Sequence, residues 1–564
     1  MTLGCETPFA AEGDREVMHQ SLIDAVRREI NELPSDAGPR RLTQPTAEVE
    51  EAVAGRRDEL EQLAGPASYG DGRIDLSPEL SGAAARSVDV GLREAILTAV
   101  SNNLVLQQAE LEPAIAEADV IRAEAAFDAV FFSSITHSVL DEPSTVPILR
   151  GVPLGTAASV RDVTRFETGI RKPLTTGGRV ELSTSIDRTD VSTPGFAVSP
   201  NPGYLTRIAL GIEQPLLRGF GRSVNRAGIL HARNQDRRSI QNLRTSLLNV
   251  IEQTEVAYWN LIVARQSLLI QRRLLERGIE TRDRLELRSI RDASTAQLTE
   301  AVATVENRRA NLIRAERAVR AASDQLKVLL NDPAFPVTSE VDIVPVDQMV
   351  EAALEYDIRE AILTALEHRP EIHSALLDID DAAITTRVAD NARLPLLNAS
   401  VRMEFIGLDN DIDGSYDQGI ESTFIDYVLG LAFEAPIGNR AAQAGFRQAR
   451  LQQSAAGLRY RAAVQNVVFD VKSALRDVAA NYELIQATRS TRLAQTESLR
   501  ALLAEQENRI GLTPESLNLR FQRQEALAQA EIAEVSALAN FNIAVARLMR
   551  AMGLGLQHNN IATE

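Results

Sequence analysis

The chain has 564 residues, a formal net charge of -18, 44% apolar residues, 4% aromatic residues and one cysteine. That acidic balance speaks against nucleic acid as a partner and against electrostatic attraction to anionic lipid, and a lone cysteine excludes an intrachain disulfide framework. No window approaches about 18 consecutive apolar residues, so the sequence predicts no transmembrane helix, and any membrane crossing falls to strands.

Residues 1–90 read as a polar N-terminal tether, partly disordered, with a helical patch at Leu22, Ile23, Val26 and Ile30 between prolines such as Pro34 and Pro39. The run Leu3-Gly4-Cys5 resembles the end of a lipoprotein signal, in which the cysteine becomes the lipidated terminus. The basic segment and apolar stretch of a working signal do not precede it. Two readings stay open: a lipid anchor at Cys5 behind an incomplete start, and a chance match.

From residue 91 a helical pattern begins, opening with Arg93-Glu94-Ala95-Ile96-Leu97-Thr98-Ala99-Val100, which returns as Arg359-Glu360-Ala361-Ile362-Leu363-Thr364-Ala365-Leu366. Gly211 to Leu216 likewise lies over Ala432 to Ile437, and Trp259 to Ala264 over Tyr482 to Ala487. Matched blocks in one order indicate two copies of a unit, 91–330 and 359–553. The offset falls from 266 residues (Arg93 to Arg359) to 221 (Pro215 to Pro436), so the first copy carries 45 extra residues between Phe131 and Glu213. They include Leu174-Thr175-Thr176-Gly177-Gly178-Arg179, a Gly-Gly turn that predicts an extra hairpin over about 165–187. Whether it joins a sheet or folds as an outer loop stays open.

The strand regions are 128–214 and 396–435. In them Ile208, Leu210 and Ile212, and Tyr427, Leu429, Leu431 and Phe433, alternate with small or polar residues. Alternation places the apolar side chains on one face. Pro215 and Pro436 end these strands at matching points and set the turn into the helices. Each copy then continues as a long helical hairpin, 224–330 and 440–553. In the first, Leu243, Leu247, Val250, Leu261 and Leu268, answered by Leu298, Ala301, Val305, Val319 and Leu326, keep the three- and four-residue steps of a coiled-coil seam. Arg308 is its one polar interruption. If continuous to Ile290, the first arm spans on the order of 100 Å. Residues 331–358 form a connector with a strand-like Val341-Asp342-Ile343-Val344, and 554–564 a tail.

The expected fold is therefore mainly α with membrane β, built from a duplicated unit of helix, strand pair and long helical hairpin. Four strands, or six with the hairpin, are too few for a closed membrane barrel, which takes about eight or more. Identical chains pool strands most simply in a closed symmetric ring, and three give a tube of twelve, or eighteen.

The duplicated plan, the run Gln214-Pro215-Leu216-Leu217-Arg218-Gly219-Phe220-Gly221, Ala257 to Leu261 and Ile510-Gly511-Leu512-Thr513 resemble the TolC-type outer-membrane efflux proteins over about residues 92–553. The resemblance implies a homotrimeric β-barrel in outer-membrane lipid joined to a periplasmic α-helical barrel. It implies an exit duct, not an enzyme, closed by its helix tips. The partners it implies are a periplasmic adaptor (membrane fusion protein) and an inner-membrane pump for efflux or secretion. The tips would be Ser289, Ile290, Arg291, Asp292, Ala293 and Ser294, and Arg509, Ile510, Gly511, Leu512, Thr513 and Pro514. Family members often carry aspartates beyond the second tip. Here Leu517-Asn518-Leu519-Arg520 has none, which casts doubt on an acidic gate and makes Arg520 a candidate gate charge.

No cofactor, metal or catalytic constellation is legible. His368 and His373 are five apart, off the spacing of a helical metal pair, and Gly219-Phe220-Gly221 lacks the third glycine of a phosphate loop. The rival reading from another class is a coiled-coil periplasmic scaffold without a barrel.

Overall fold

The structure is a computed structural model and describes residues 39–44, 48–65, 86–143, 148–150, 152–153, 158–192, 198–289, 295–508 and 513–561, with Asp24, Ala25, Arg28 and Leu76. The predicted helical patch near Leu22 and the candidate anchor Cys5 lie outside the described residues.

In chain order the main helices are α1 (Leu92–Asn102), α2 (Leu104–Glu124), α3 (Ala227–Ser289), α4 (Thr295–Leu330), α5 (Ile358–His368), α6 (Pro370–Asn391), α7 (Ile412–Ile420), α8 (Arg440–Asn508) and α9 (Pro514–Ala551). The main strands are β1 (Val130–Pro143), β2 (Ala158–Pro173), β3 (Arg179–Ser192), β4 (Gly203–Pro215), β5 (Leu396–Asp409) and β6 (Phe424–Glu434). With no proline between Pro215 and Pro333 to remove a backbone donor, α3 runs unbroken for 63 residues. The break between α1 and α2 is set by Asn103. Its Oδ1 accepts the Val105 N–H at 2.9 Å, and its amide donates to Leu329 O at 2.9 Å.

The chain forms two compact units. The described part of the first lies within residues 114–239 and 375–460 and is built on one six-stranded antiparallel sheet in the order β6-β5-β4-β3-β2-β1. The hairpin expected over about 165–187 is longer, β2 to β3, and both of its strands are inserted between β1 and β4.

The second unit, within residues 20–113, 240–374 and 461–564, is helical. Its core gathers Ile96 from α1, Leu261, Leu268, Val319, Leu326 and Leu330 from α3 and α4, and Ile343 from the strand Asp342–Pro345, all buried. The strand expected at Val341 to Val344 is Asp342–Pro345, and it pairs in parallel with Ser87–Val90. Tyr258 clamps this pair. Its hydroxyl donates to Asp347 Oδ2 at 2.7 Å, with Val90 O a second acceptor at 3.1 Å, and accepts the Asp347 N–H at 3.2 Å. Tyr258→Phe is expected to lower stability by about 1–3 kcal/mol, because it strips partners from buried polar groups. A thermal melt against the parent chain checks this.

Part of the expected tether is folded. Glu48–Val53 and Arg57–Ala64 are helices, and Leu60 and Val53 pack on Leu493 while Ala64 packs on Leu499 and Leu527. Prolines and acidic residues surround these helices, and their apolar stripe is only about two helical turns long, too short to give a clear periodic signal. Among the described residues, α9 is long and apolar enough to cross a bilayer by length and composition, but half of its most apolar stretch is buried inside the chain. Its Leu527, Val535 and Phe541 are core residues.

Candidate functional site

The sheet has two chemically opposed faces. Ladder partners share a face, and the rung Phe131–Ile170–Leu182–Leu210–Met403–Tyr427 crosses all six strands. Flanking positions on this face include Ile135, Phe166, Ile212, Val401, Leu429 and Phe433. It is uncovered over most of its area: Phe131 is 71% exposed, Ile135 74% and Leu429 78%. The opposite face carries Arg165, Glu181, Asp187, Arg207, Glu404 and Asp426. There Arg165 forks onto Asp187 at 2.6 and 2.8 Å, and Arg207 reaches the same carboxylate at 2.6 Å. Among the described residues, both edge strands, β1 and β6, have a partner on one side only.

Turns hold the sheet at the ends where helices enter. Leu216 N–H donates to Leu397 O at 2.7 Å beyond Pro215, and Gly219 N–H donates to Asn391 Oδ1 at 2.7 Å. The Thr176–Gly178 turn docks on this loop. Gly221 N–H donates to Thr176 O at 3.0 Å, and the Thr176 hydroxyl donates to Gln214 Oε1 at 2.8 Å. Gly177, at φ 96°, is required twice over, since a Cβ there would sit 2.1 Å from Gly219 O. The Gly-Phe-Gly run is thus a strand-to-helix loop. Pro436 follows β6 by two residues and plays the matching part after the second strand pair.

One element was not read from the sequence. Helix α7, capped by Asp411 through Gly414 N–H at 2.7 Å, lies on the apolar face. Ser415 Oγ donates to Gly407 O at 2.9 Å, and Thr184 meets the Tyr416 hydroxyl at 2.7 Å. A Cβ on Gly407 would fall 1.8 Å from Ser415 O, so only glycine admits this contact. Asp411, with glycines at 407 and 419, was the available signal.

Of the predicted tips, Ile290 to Ser294 and Arg509 to Leu512 lie outside the described residues, and for Ser289 only the helical backbone is described. Thr513 caps α9 through Ser516 N–H at 3.3 Å, and Pro514 occupies the first turn. Leu517 and Phe521 pack with Leu285 and Ala301, joining the two hairpins just inside the tips. Arg520, expected as a gate charge, is buried and 6% exposed, and burial together with Arg284 lowers its pKa. It is not displayed on the surface of the chain. Arg308, read as an interruption of the seam, is buried as well. It donates to Leu274 O and Gln524 Oε1, both at 2.9 Å, and lies over the Phe521 ring at 5.4 Å, with burial lowering its pKa to about 10.

An ion network binds the N-terminal helices and the connector to the second hairpin. Arg492 pairs with Glu534 and Glu61 and donates to Ala64 O at 2.9 Å. Arg489 bridges Glu534 at 3.0 Å and Glu351 at 2.5 Å. Burial alone would raise the pKa of Glu351, but its bonds to Arg489 and Gln44 outweigh that and hold it below the ordinary carboxylate value. Stability from a lowered carboxylate is complete above its unfolded pKa and is lost as pH falls through the folded one. The melting temperature is therefore expected to drop as pH falls below about 4.5, and Glu351→Gln to flatten that drop. Equal slopes for the two proteins in melts from pH 7 to pH 3 would count against the pairing.

Residues 361–554 match the family described as outer membrane efflux protein. Those residues belong to the outer membrane efflux protein family. No curated protein matches the chain significantly in sequence. Three solved outer-membrane proteins share the fold. The CmeC outer membrane channel of Campylobacter jejuni has a TM-score of 0.60 and 15% identity, over 82% of this chain and 86% of its own. The outer membrane protein VceC of Vibrio cholerae has a TM-score of 0.57 and 15% identity, over 82% and 96%. The MtrE outer membrane channel of Neisseria gonorrhoeae, solved in its open state, has a TM-score of 0.55 and 19% identity, over 86% and 96%. At such identities the likeness establishes the fold, that of TolC-type outer-membrane channels with a helical and a β part. The efflux-protein match takes in α6, β5, β6, α8 and α9, and β1 to β4 with α3 and α4 precede it.

Proposed function

We propose that this chain is the homotrimeric outer-membrane exit duct of a tripartite efflux or secretion system. The observation that carries this reading is the six-stranded sheet with one apolar face uncovered over most of its area, one charged face and, among the described residues, two free edges. Such a sheet leaves large apolar side chains in water unless lipid covers them, and it leaves unpaired backbone at each edge unless other chains do. On β1 this face carries Phe131, Ile135 and Val139 with Ser133 and His137 between them; the stretch measures about 26 Å along the strand, or about 20 Å of height at the tilt of membrane-barrel strands, against an apolar belt of about 25 Å.

In this reading the units at 91–330 and 359–553 are copies of one ancestral plan, and their long hairpins continue the barrel as a periplasmic helical tube. The duct is passive and carries out no catalysis. The tips, Ser289 to Ser294 and Arg509 to Pro514, close it and meet the adaptor, which couples it to an inner-membrane pump. A coiled-coil scaffold without a barrel accounts for the hairpins but leaves the exposed apolar face unexplained.

Native mass and planar-bilayer conductance of the detergent-extracted protein test the proposal. A conducting trimer supports it. A soluble monomer or dimer without conductance leaves the scaffold standing.

A further inference from the structure

We infer that the hairpin β2–β3 is a wall segment, so that three copies close a barrel of eighteen strands instead of the twelve that four strands per chain would give; the inference rests on the trimeric duct reading. Both hairpin strands are fully integrated into the sheet. The β1–β2 ladder runs from Val130–Arg171 to Pro143–Ala158, the β2–β3 ladder from Val160–Ser192 to Pro173–Arg179, and β3 pairs with β4 from Arg179–Glu213 to Thr189–Gly203. The hairpin turn is locked to the strand-to-helix loop at Gly219 and Gly221, as an outer flap would not be.

Facial chemistry continues through the insertion. Phe166 and Ile170 of β2 and Leu182 of β3 keep the apolar side, while Arg165 and Asp187 keep the charged side. Parity is kept too. All five ladders are antiparallel, so the edge strands β1 and β6 run in opposite directions. A β1 of one copy therefore meets the β6 of the next as another antiparallel pair, and adding two strands preserves this where adding one would not. Neither edge carries a proline before its last residue, and apolar residues line both, with Ile135 and Leu429 more than 70% exposed. These are edges made to be paired by a second copy rather than protected.

Barrel diameter grows roughly linearly with strand number. End-on electron-microscopy projections in lipid nanodiscs are expected to show a barrel about 1.5 times as wide for the full chain as for a variant lacking Ala158–Ser192. In that variant the residues left between β1 and β4 still join an upward strand to a downward one. Equal diameters overturn the inference.

Thiol crosslinking in a Cys5→Ser background gives a second measurement that does not depend on the deletion folding. Ile135→Cys with Phe166→Cys is expected to crosslink in the extracted trimer, and Ile135→Cys with Thr206→Cys is not. The reverse pattern in a conducting trimer overturns the strand count alone. The expected crosslinks in a protein that never assembles overturn the duct reading and the count with it.

Discussion

Arg492→Met is expected to cost about 3–5 kcal/mol of stability and to release residues 48–64 from the second hairpin. Arg492 is among the most completely buried large side chains of the chain. Its guanidinium serves Glu534, Glu61 and the Ala64 carbonyl together. Methionine fills similar volume but supplies no charge, so Glu534, itself 4% exposed, keeps only Arg489. A buried carboxylate that loses a partner carries its desolvation cost uncompensated. The double substitution Arg492→Met with Glu534→Leu is expected to recover much of the loss, since removing both charges removes the imbalance. Chemical unfolding measures the stability, and trypsin cleavage at Arg56 or Arg57 reports the release. An unchanged cleavage pattern in Arg492→Met would mean that the apolar contacts of Leu60 and Ala64 hold the segment by themselves.

Leu429→Arg is expected to abolish the assembled trimer in the membrane, whereas Val428→Arg, one residue away, leaves it intact. The two side chains point to opposite faces of β6, Leu429 to the apolar face with Val401 and Val428 to the charged face with Arg402. Leu429 lies near the middle of its strand, where an arginine facing lipid costs about 2–4 kcal/mol in a membrane barrel. In the proposed trimer, threefold symmetry repeats that cost in every copy. At Val428 the new charge faces the side that already carries Arg165, Arg207 and Glu404. Heat-resistant trimer on a denaturing gel is the readout. Equal loss in both variants would overturn the assignment of the faces.

Much of the architecture was legible because its signals are local. The three- and four-residue steps through Leu243, Leu261 and Leu268 mark helix α3, and alternation through Tyr427, Leu429 and Leu431 marks strand β6, since each pattern repeats within the element that it defines. Pro215, Pro514 and the Gly177-Gly178 turn announce their boundaries for the same reason.

What tertiary structure decided was every question whose answer sits far along the chain. The inserted hairpin joins the sheet through the β1–β2 and β3–β4 ladders, and the β4–β5 ladder, which unites the two strand regions, spans the whole first helical hairpin. Arg492 reads as an ordinary helix-face charge until Glu61 is placed beside it, 431 residues away in sequence. Arg308 reads as a flaw in an apolar seam until Gln524 and the Phe521 ring close around it. Periodicity records which face of an element is apolar. It carries no record of which distant residue will satisfy a buried charge or cover a free edge, because those partners are chosen only when the elements pack.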